Sequence, residues 1–392
     1  MKKLSVRDLD LRGTRVFCRV DFNVPLENGR VTDDRRIAAS LETIRFLAGH
    51  GARVVLASHL GRPKGKPKPE FSLRPCAERL ERLLGKKVAF ASDCIGEPAA
   101  SSVAALGDGD VVLLENLRFH KEEEANDPVF AQALARLGDL YVDDAFGSAH
   151  RAHASTDGVP RILKPAAAGF LMERELDYLG RILGNPESPF VAVLGGAKVS
   201  DKIELIENLL PKVDTFLIGG AMAYTFLAAR GVPIGQSLLE ADKVATATDL
   251  LARAARAAFV LPLDHVVAVG GDKARPKVTE DVAIASDEVG FDIGPRTAER
   301  FAAELHKAKT VLWNGPMGLF EVEAYAEGTR RVAEAIAASA AVSVVGGGDS
   351  AAAVTELGLD GKMTHVSTGG GASLEFLSGL TLPGVAVLDD AR

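Results

Sequence analysis

The sequence has only three cysteines in 392 residues, Cys18, Cys76 and Cys94, and no CxxC pair. So sparse and odd a set excludes a disulfide framework and a zinc ribbon, and suits small buried thiols in a reducing compartment. A basic excess is also missing. The formal net charge is −7, so wholesale nucleic-acid binding, which needs a basic domain, is excluded. No apolar run reaches the length of a membrane span, and the opening MKKLSVRDLDLRG has two lysines but no apolar h-region. We therefore expect a cytoplasmic protein with no membrane or nucleic-acid partner. Neither GxxxxGKS/T nor GxGxxG occurs, which leaves no P-loop and no dinucleotide fingerprint. No low-complexity tract and no residue-level repeat is evident, and no serine, cysteine or histidine is placed beside a base as an obvious nucleophile.

What is present is a regular alternation. The length suits two domains, and 47% hydrophobic with 25% charged residues is ordinary for a globular chain. RVFCRV (15–20), RVVLAS (53–58), VVLLEN (111–116) and LYVDDA (140–145) are apolar runs that predict strands. Between the first two, DDRRIAASLETIRFLAGHG predicts one helix, with Ile37, Leu41, Ile44 and Leu47 on one face. SLRPCAERLERLLG predicts another, lined by Leu73, Ala77, Leu80 and Leu84 and stopped at Gly85. In the second half FVAVLGG (190–196), TFLIGG (215–220), TVLWNG (310–315) and VSVVGGG (342–348) each close on glycine, with alanine-rich helical stretches such as 240–257 and 325–340 between them. Continuous apolar strands separated by helices imply parallel sheets covered on both faces. The stretch 170–189 reads as a helix ending at Gly184, with Pro186 and Pro189 in a turn, and marks the domain boundary.

Right-handed crossovers put every strand's C-terminal end on one edge, where open α/β sheets bind ligands. In the first half that edge receives Asp21, Phe22 and Asn23, then SHLGRPKG with His59 and Arg62, then ENLRF with Arg118, then AFGSAHRAHAS with His150, Arg151 and His153. Arg36 stands near the start of the first helix. A single arginine is usually a solvated surface charge, but four at matching strand ends form a pocket for a small polyanion. His150 and His153 lack a third ligand at ligand spacing, which argues against a metal pair.

The second half delivers a different set. GGAKVSDKIE places Lys198 and Lys202 four apart, on one face if the helix has begun there. VVGGGDSAAA and STGGGASLEFL each read as a glycine loop entering a helix, where backbone N–H groups and the helix dipole favour phosphate. WNGPMGLFE ends on Glu321, a potential ribose acceptor. An anion pocket on one domain and a phosphate-binding edge on the other suit phosphoryl transfer, which needs positioning and charge neutralisation more than covalent help. Two rivals stay open: a kinase acting on a small carboxylate such as acetate or carbamate, and a two-lobed binding protein without chemistry. The first has no use for so many arginines, the second none for Lys198, Lys202 and Asp349.

VDFNVPLENGRVTDDRRI, SHLGRPKG, LLENLRFH, DDAFGSAHRAHAS, VLGGAKVSDKI, DIGPRT, WNGPMGLFE and VVGGGDS, in that order from residue 20 to about 377, resemble the phosphoglycerate kinase family. The resemblance implies two doubly wound parallel-sheet (Rossmann-like) domains joined by a helical hinge, with a cleft between them. Residues 1–169 would be the phosphoglycerate-binding domain, 170–189 the hinge and 190–378 the nucleotide-binding domain, with the tail 379–392 returning to the first. It further implies a monomer that transfers phosphoryl between 1,3-bisphosphoglycerate and ADP, with Mg²⁺ and ATP/ADP, by in-line transfer after hinge closure. Asp21, Phe22, Asn23, Arg36, His59, Leu60, Gly61, Arg62, Arg118 and Arg151 would hold phosphoglycerate. Lys198 would neutralise the transferring group, Lys202 would hold nucleotide phosphates, and Asp349 would serve Mg²⁺. Gly294 and Asn314 would line the nucleotide site, Glu321 would take the ribose, and Gly347, Gly348 and Ser350 would flank the phosphates. Arg36, Lys198 and Gly371, with Gly370, would face the group in flight. Three positions depart from the family pattern: Arg35 beside Arg36, Arg296, and His265 in LPLDHVVA.

Overall fold

The computed structural model describes residues 2–254 and 257–391. Every apolar run named above is a strand in it, most of them ending before their closing loop residues. The first sheet is parallel and runs Val88–Phe90, Val111–Leu113, Arg53–Ala57, Arg15–Val20, Leu140–Asp144, Ala166–Ala168 across its width. In chain order these are the third, fourth, second, first, fifth and sixth strands. The direction of winding therefore reverses beside Arg15–Val20, where a doubly wound sheet opens its ligand crevice. Cys18 pairs in register with Leu56 on one side and Val142 on the other, and all three are fully buried, as a sheet covered on both faces requires.

The second sheet runs Ala258–Val260, Thr215–Ile218, Phe190–Leu194, Thr310–Asn314, Val342–Gly346, His365–Val366, again all parallel. Its chain order is third, second, first, fourth, fifth, sixth, the order of dinucleotide-binding sheets, with the switch point between Phe190–Leu194 and Thr310–Asn314. A three-stranded antiparallel sheet (His265–Val269, Pro276–Val278, Glu288–Ile293) and a short hairpin (Leu26–Glu27 with Arg30–Val31) lie outside the predicted alternation.

The helix expected over DDRRIAASLETIRFLAGHG is two helices, Arg35–Ala39 and Leu41–Gly49. The first closes at Ser40, whose N–H turns back to Ile37 O in an i to i−3 bond, and the second starts from Ser40 O. Ile37, Ile44 and Leu47 are buried all the same. The helix before Gly85 spans Arg74–Leu84 and ends on that glycine at φ +65°. Of the stretch 240–257, Val244–Arg253 is helical, and 255 and 256 lie outside the described residues. The helix Phe170–Gly184 forms, and its start is capped by the Asp144 carboxylate, which accepts from Leu171 N at 2.8 Å.

By contacts the chain divides into two compact units, Met1–Asp177 with Thr381–Arg392, and Tyr178–Leu380. The C-terminal segment belongs to the first unit through an antiparallel bridge between Lys3 and Asp390, and through bonds from Gly384 N to Ala149 O and from Asp389 N to Ala166 O, each 2.9 Å. Each unit has its own core. One is built around Val16, Cys18, Leu56 and Val142, the other around Val193, Val311, Trp313 and Val345.

Candidate active site

At the C-terminal edge of the first sheet the strand-end residues hold one another in place. Asp21 Oδ2 accepts from Arg36 Nη1 at 2.7 Å, and Asn23 Oδ1 accepts from Gly61 N at 2.9 Å. Arg118 Nη1 donates to Gly61 O at 2.9 Å and its Nε lies 3.3 Å from Glu124. Phe22 N is fixed by Ser58 Oγ, and Leu60 is gripped at both backbone groups by the amide of Asn116. Gly61 stands at φ +61°, and a Cβ there would sit 2.4 Å from the Phe71 ring, so the loop SHLGRPKG needs glycine at its turn. Arg62 is exposed on that loop, and Arg151 Nε reaches His150 Nε2 at 3.1 Å. Arg35 turns away and forks onto Asp33, which leaves Arg36 as the arginine on the edge.

The electrostatics show that these cations share one field. Burial pushes His59 well below its ordinary value, and Arg19, Arg118, Arg151 and Arg36 push it further, so the ring is neutral. Burial likewise holds His153 down at about 3, helped by Arg118, Arg19, Arg151 and His150. Arg118 itself falls to about 10 through burial, with Glu124 opposing and Arg151 and Arg19 adding to the fall. The arginines outnumber the carboxylates beside them, Asp21, Glu123 and Glu124, so the edge can take up a further anion.

Two residues behind this edge are absent from the sequence expectations. Arg19, 1% exposed, donates from Nε to Ser155 Oγ at 2.8 Å and touches His59 Nδ1 at 3.1 Å through Nη2. Glu123 is fully buried and accepts from Ser155 N and Oγ at 3.0 and 2.6 Å. Burial raises its carboxyl, and the Arg19 charge works against that rise. A second arginine inside RVFCRV, after the one that opens it, was the available signal for Arg19. Glu123 stands in the run KEEE, which resembles any solvated helix face.

At the switch point of the second sheet the strand ends approach closely. Gly195 N donates to Asn314 O at 3.0 Å, and Asn314 Nδ2 to Gly346 O at 2.9 Å. A Cβ on Gly315, at φ +97°, would lie 2.2 Å from Gly195 O, so only glycine fits. Ser350 Oγ, fully buried, accepts from Gly315 N at 2.6 Å. Gly347, at φ +94°, turns the chain into the helix Gly348–Glu356, whose first turn carries the exposed Asp349. Lys202 donates to Asn314 Oδ1. Burial lowers its ammonium below the ordinary value, with Asp201 and Asp349 holding it partly up.

Lys198 and Lys202 do not share a helix face. The helix is Ile203–Leu209, Lys202 is its N-cap, and 198–201 precede it outside any helix, with Lys198 exposed on that loop. Gly370, at φ +53°, precedes the helix Gly371–Leu377, whose Leu377 O accepts from Asn208 Nδ2 at 2.7 Å. Glu321 is exposed. Gly294 packs its Cα against the Asp264 carboxylate and lines a cavity of about 390 Å³ with Val266, Pro276, Pro295 and Arg331. That lining includes none of the other expected nucleotide residues.

The sequence model of the phosphoglycerate kinase family matches residues 6–380. The chain is 56% identical to phosphoglycerate kinase of Koribacter versatilis over 400 residues, covering 99% of both chains. It is also 56% identical to that of Moorella thermoacetica over 393 residues, covering all of both. Among solved structures, phosphoglycerate kinase from Coxiella burnetii superposes with a TM-score of 0.90 at 44% identity, and that from Pyrococcus horikoshii with 0.86 at 36%, each over 98% of both chains. With the two parallel sheets and their charged and glycine-rich edges, these similarities show that the chain belongs to the phosphoglycerate kinase family.

Proposed function

We propose that this chain catalyses reversible phosphoryl transfer between 1,3-bisphosphoglycerate and ADP, giving 3-phosphoglycerate and ATP, as a glycolytic kinase. The observation that carries the assignment of its halves is the convergence of Arg36, Arg118, Arg151 and Arg19 on the neutral ring of His59. Phosphoglycerate docks on this basic edge, with Asp21, Phe22, Asn23, Leu60, Gly61 and Arg62 shaping it. The nucleotide docks at the switch point of the second sheet. There Lys202, Asn314, Gly347, Gly348 and Ser350 meet its phosphates, Glu321 takes the ribose, and Gly294 stands further along the same unit.

In the direction of ATP use, a carboxylate oxygen of 3-phosphoglycerate attacks the γ-phosphorus. The new O–P bond forms as the bond to the β-phosphate oxygen breaks, and ADP leaves with the electron pair. Arg36 orients the attacking carboxylate, and Lys198 follows the equatorial oxygens, a role that suits a flexible exposed side chain. Gly371 lends backbone N–H groups to the same charge. The attacking and leaving oxygens must lie in line, so turnover requires the two edges to meet and to shed water.

The donor set fits magnesium: Asp349 is an exposed carboxylate at a phosphate-binding helix start, a hard oxygen ligand with no thiol or imidazole among the residues named for this edge. Bound with the nucleotide, Mg²⁺ neutralises phosphate charge. Monomeric, cytoplasmic enzyme completes the proposal, and light scattering of the purified protein tests the first of these.

The test is a coupled assay with Mg-ATP and 3-phosphoglycerate, with acetate and carbamate as alternative acceptors. Turnover only with 3-phosphoglycerate, abolished by chelating Mg²⁺, is the expected result. Turnover with acetate or carbamate alone would assign a different acceptor to the basic edge.

A further inference from the structure

Beside the outer strand Val88–Phe90 of the first sheet, Asp93, Cys94 and His120 each offer a donor atom, and these three atoms lie within 4.8 Å of one another. No role assigned above uses any of them. Asp93 and Cys94 belong to the loop between the strand Val88–Phe90 and the helix Gly96–Ala104, and His120 caps the helix Lys121–Glu124. The two segments are joined here by side chains: His120 Nε2 lies 2.7 Å from Asp93 Oδ1, which also accepts from Cys94 N at 2.6 Å. The Cys94 side chain forms the floor, with no exposed surface, while Asp93 and His120 are 41% and 26% exposed at the rim. His120 rests against the Phe130 ring, 5.3 Å between centroids, which limits its orientation.

We propose that Asp93, Cys94 and His120 form a binding site for a thiophilic divalent cation of the zinc class. Thiolate, imidazole and carboxylate together are the donor set that zinc takes, and magnesium or calcium does not favour a thiolate. Tetrahedral zinc, with bonds of about 2.0–2.3 Å, spaces its ligand atoms about 3.3–3.8 Å apart. The His120–Asp93 pair needs to open slightly and the thiol to draw in, which a loop that leaves into its helix through Gly96 at φ +69° accommodates. Three protein ligands leave the fourth position to water, supplied through the exposed rim. As the metal–sulfur bond forms, the thiol proton passes to solvent. The Asp93 carboxylate, itself one of the three donors, favours the incoming cation. Because the turn Leu117–Phe119 lies immediately before His120, an ion here also pins the segment that carries Arg118.

The full-length protein, stripped with a chelator and held in excess Mg²⁺, is titrated with Zn²⁺ by calorimetry and with Co²⁺ by absorption. We expect one ion per chain, release of about one proton, and a thiolate-to-cobalt charge-transfer band. Cys94→Ser removes the band and weakens zinc by at least about 100-fold, more than loss of an outer partner costs elsewhere. His120→Gln, at a half-exposed position that leaves the core intact, weakens it comparably, and Cys18→Ala and Cys76→Ala change neither readout. Zinc affinity unchanged in both Cys94→Ser and His120→Gln, or a cobalt complex without a thiolate band, overturns the proposal. So does the absence of one-to-one zinc binding by the wild type.

Discussion

Arg36 donates from Nη1 to Asp21 Oδ2 at 2.7 Å, while its neighbour Arg35 forks onto Asp33 on the outside of the turn. Two adjacent arginines thus have opposite fates, and only one faces the strand-end edge. Asp21 presets Arg36 without burying it: the arginine side chain keeps 37% of its exposure and can exchange Asp21 for a substrate carboxylate. Arg36→Ala should therefore lower kcat by about 100-fold or more while nucleotide affinity changes little. Arg36→Lys should recover only part, because an ammonium lacks the planar fork. Steady-state kinetics with both substrates varied decide it; equal losses in kcat and nucleotide affinity would remove Arg36 from the transition state.

Arg19 makes a different prediction, about folding. It is buried beneath the edge, with its charge opposed to Glu123 and its Nη2 against His59. Arg19→Met keeps the volume of the stem but leaves Glu123 buried without its compensating charge. Denaturant unfolding should show a loss of roughly 3–5 kcal/mol. Restoring most of that loss with Arg19→Met combined with Glu123→Gln would confirm the pairing, and additive losses would refute it.

Lys198 and Lys202 should separate cleanly. Lys198 is exposed on a loop, and among the described residues no ion pair restrains it. Lys198→Ala should leave the thermal midpoint unchanged and collapse turnover. Lys202 is partly buried and bonded to Asn314. Lys202→Ala leaves that amide short of a partner and should cost about 1–3 kcal/mol of stability as well as nucleotide affinity. Near-normal turnover in Lys198→Ala would take Lys198 out of the mechanism.

His265 predicts a pH dependence. Burial holds it at about 4, against 6.5 for a free imidazole, and its Nε2 has no hydrogen-bond partner. Below about pH 6.5 the unfolded chain takes up a proton that the folded chain refuses. Stability contributed by neutral His265 is thus full above that pH and is lost as pH falls toward 4. His265→Gln should flatten this part of the acid loss in urea unfolding curves. His59 and His153, displaced in the same direction, should leave a residual acid slope. An unchanged slope in His265→Gln would show that its ring is protonated in the folded state.

The strands, their parallel character and the delivery of Asp21, His59, Arg118 and Arg151 to one edge were legible in the residues themselves. Apolar runs bounded by glycine and helix periodicity are local signals, and crossover handedness turns them into a common edge. Gly85 ended its helix, and the strands Arg15–Val20 and Phe190–Leu194 lay where their apolar runs placed them. What periodicity could not carry was anything settled by distant partners. Periodicity ran through the break at Ser40, and it did not place the start of the helix at Ile203, after both lysines. The choice of Arg36 over Arg35 rests on Asp21, fifteen residues away in sequence and one hydrogen bond away in space. Arg19 and Glu123 meeting on Ser155, and Cys94 set beside His120, likewise bring together residues more than twenty apart. The sequence by itself determined which chemical groups reach each edge, since strand and loop identity are written locally. Only the tertiary structure decided which of them are buried, neutral or paired, because burial and charge are set by neighbours that the chain brings together from afar.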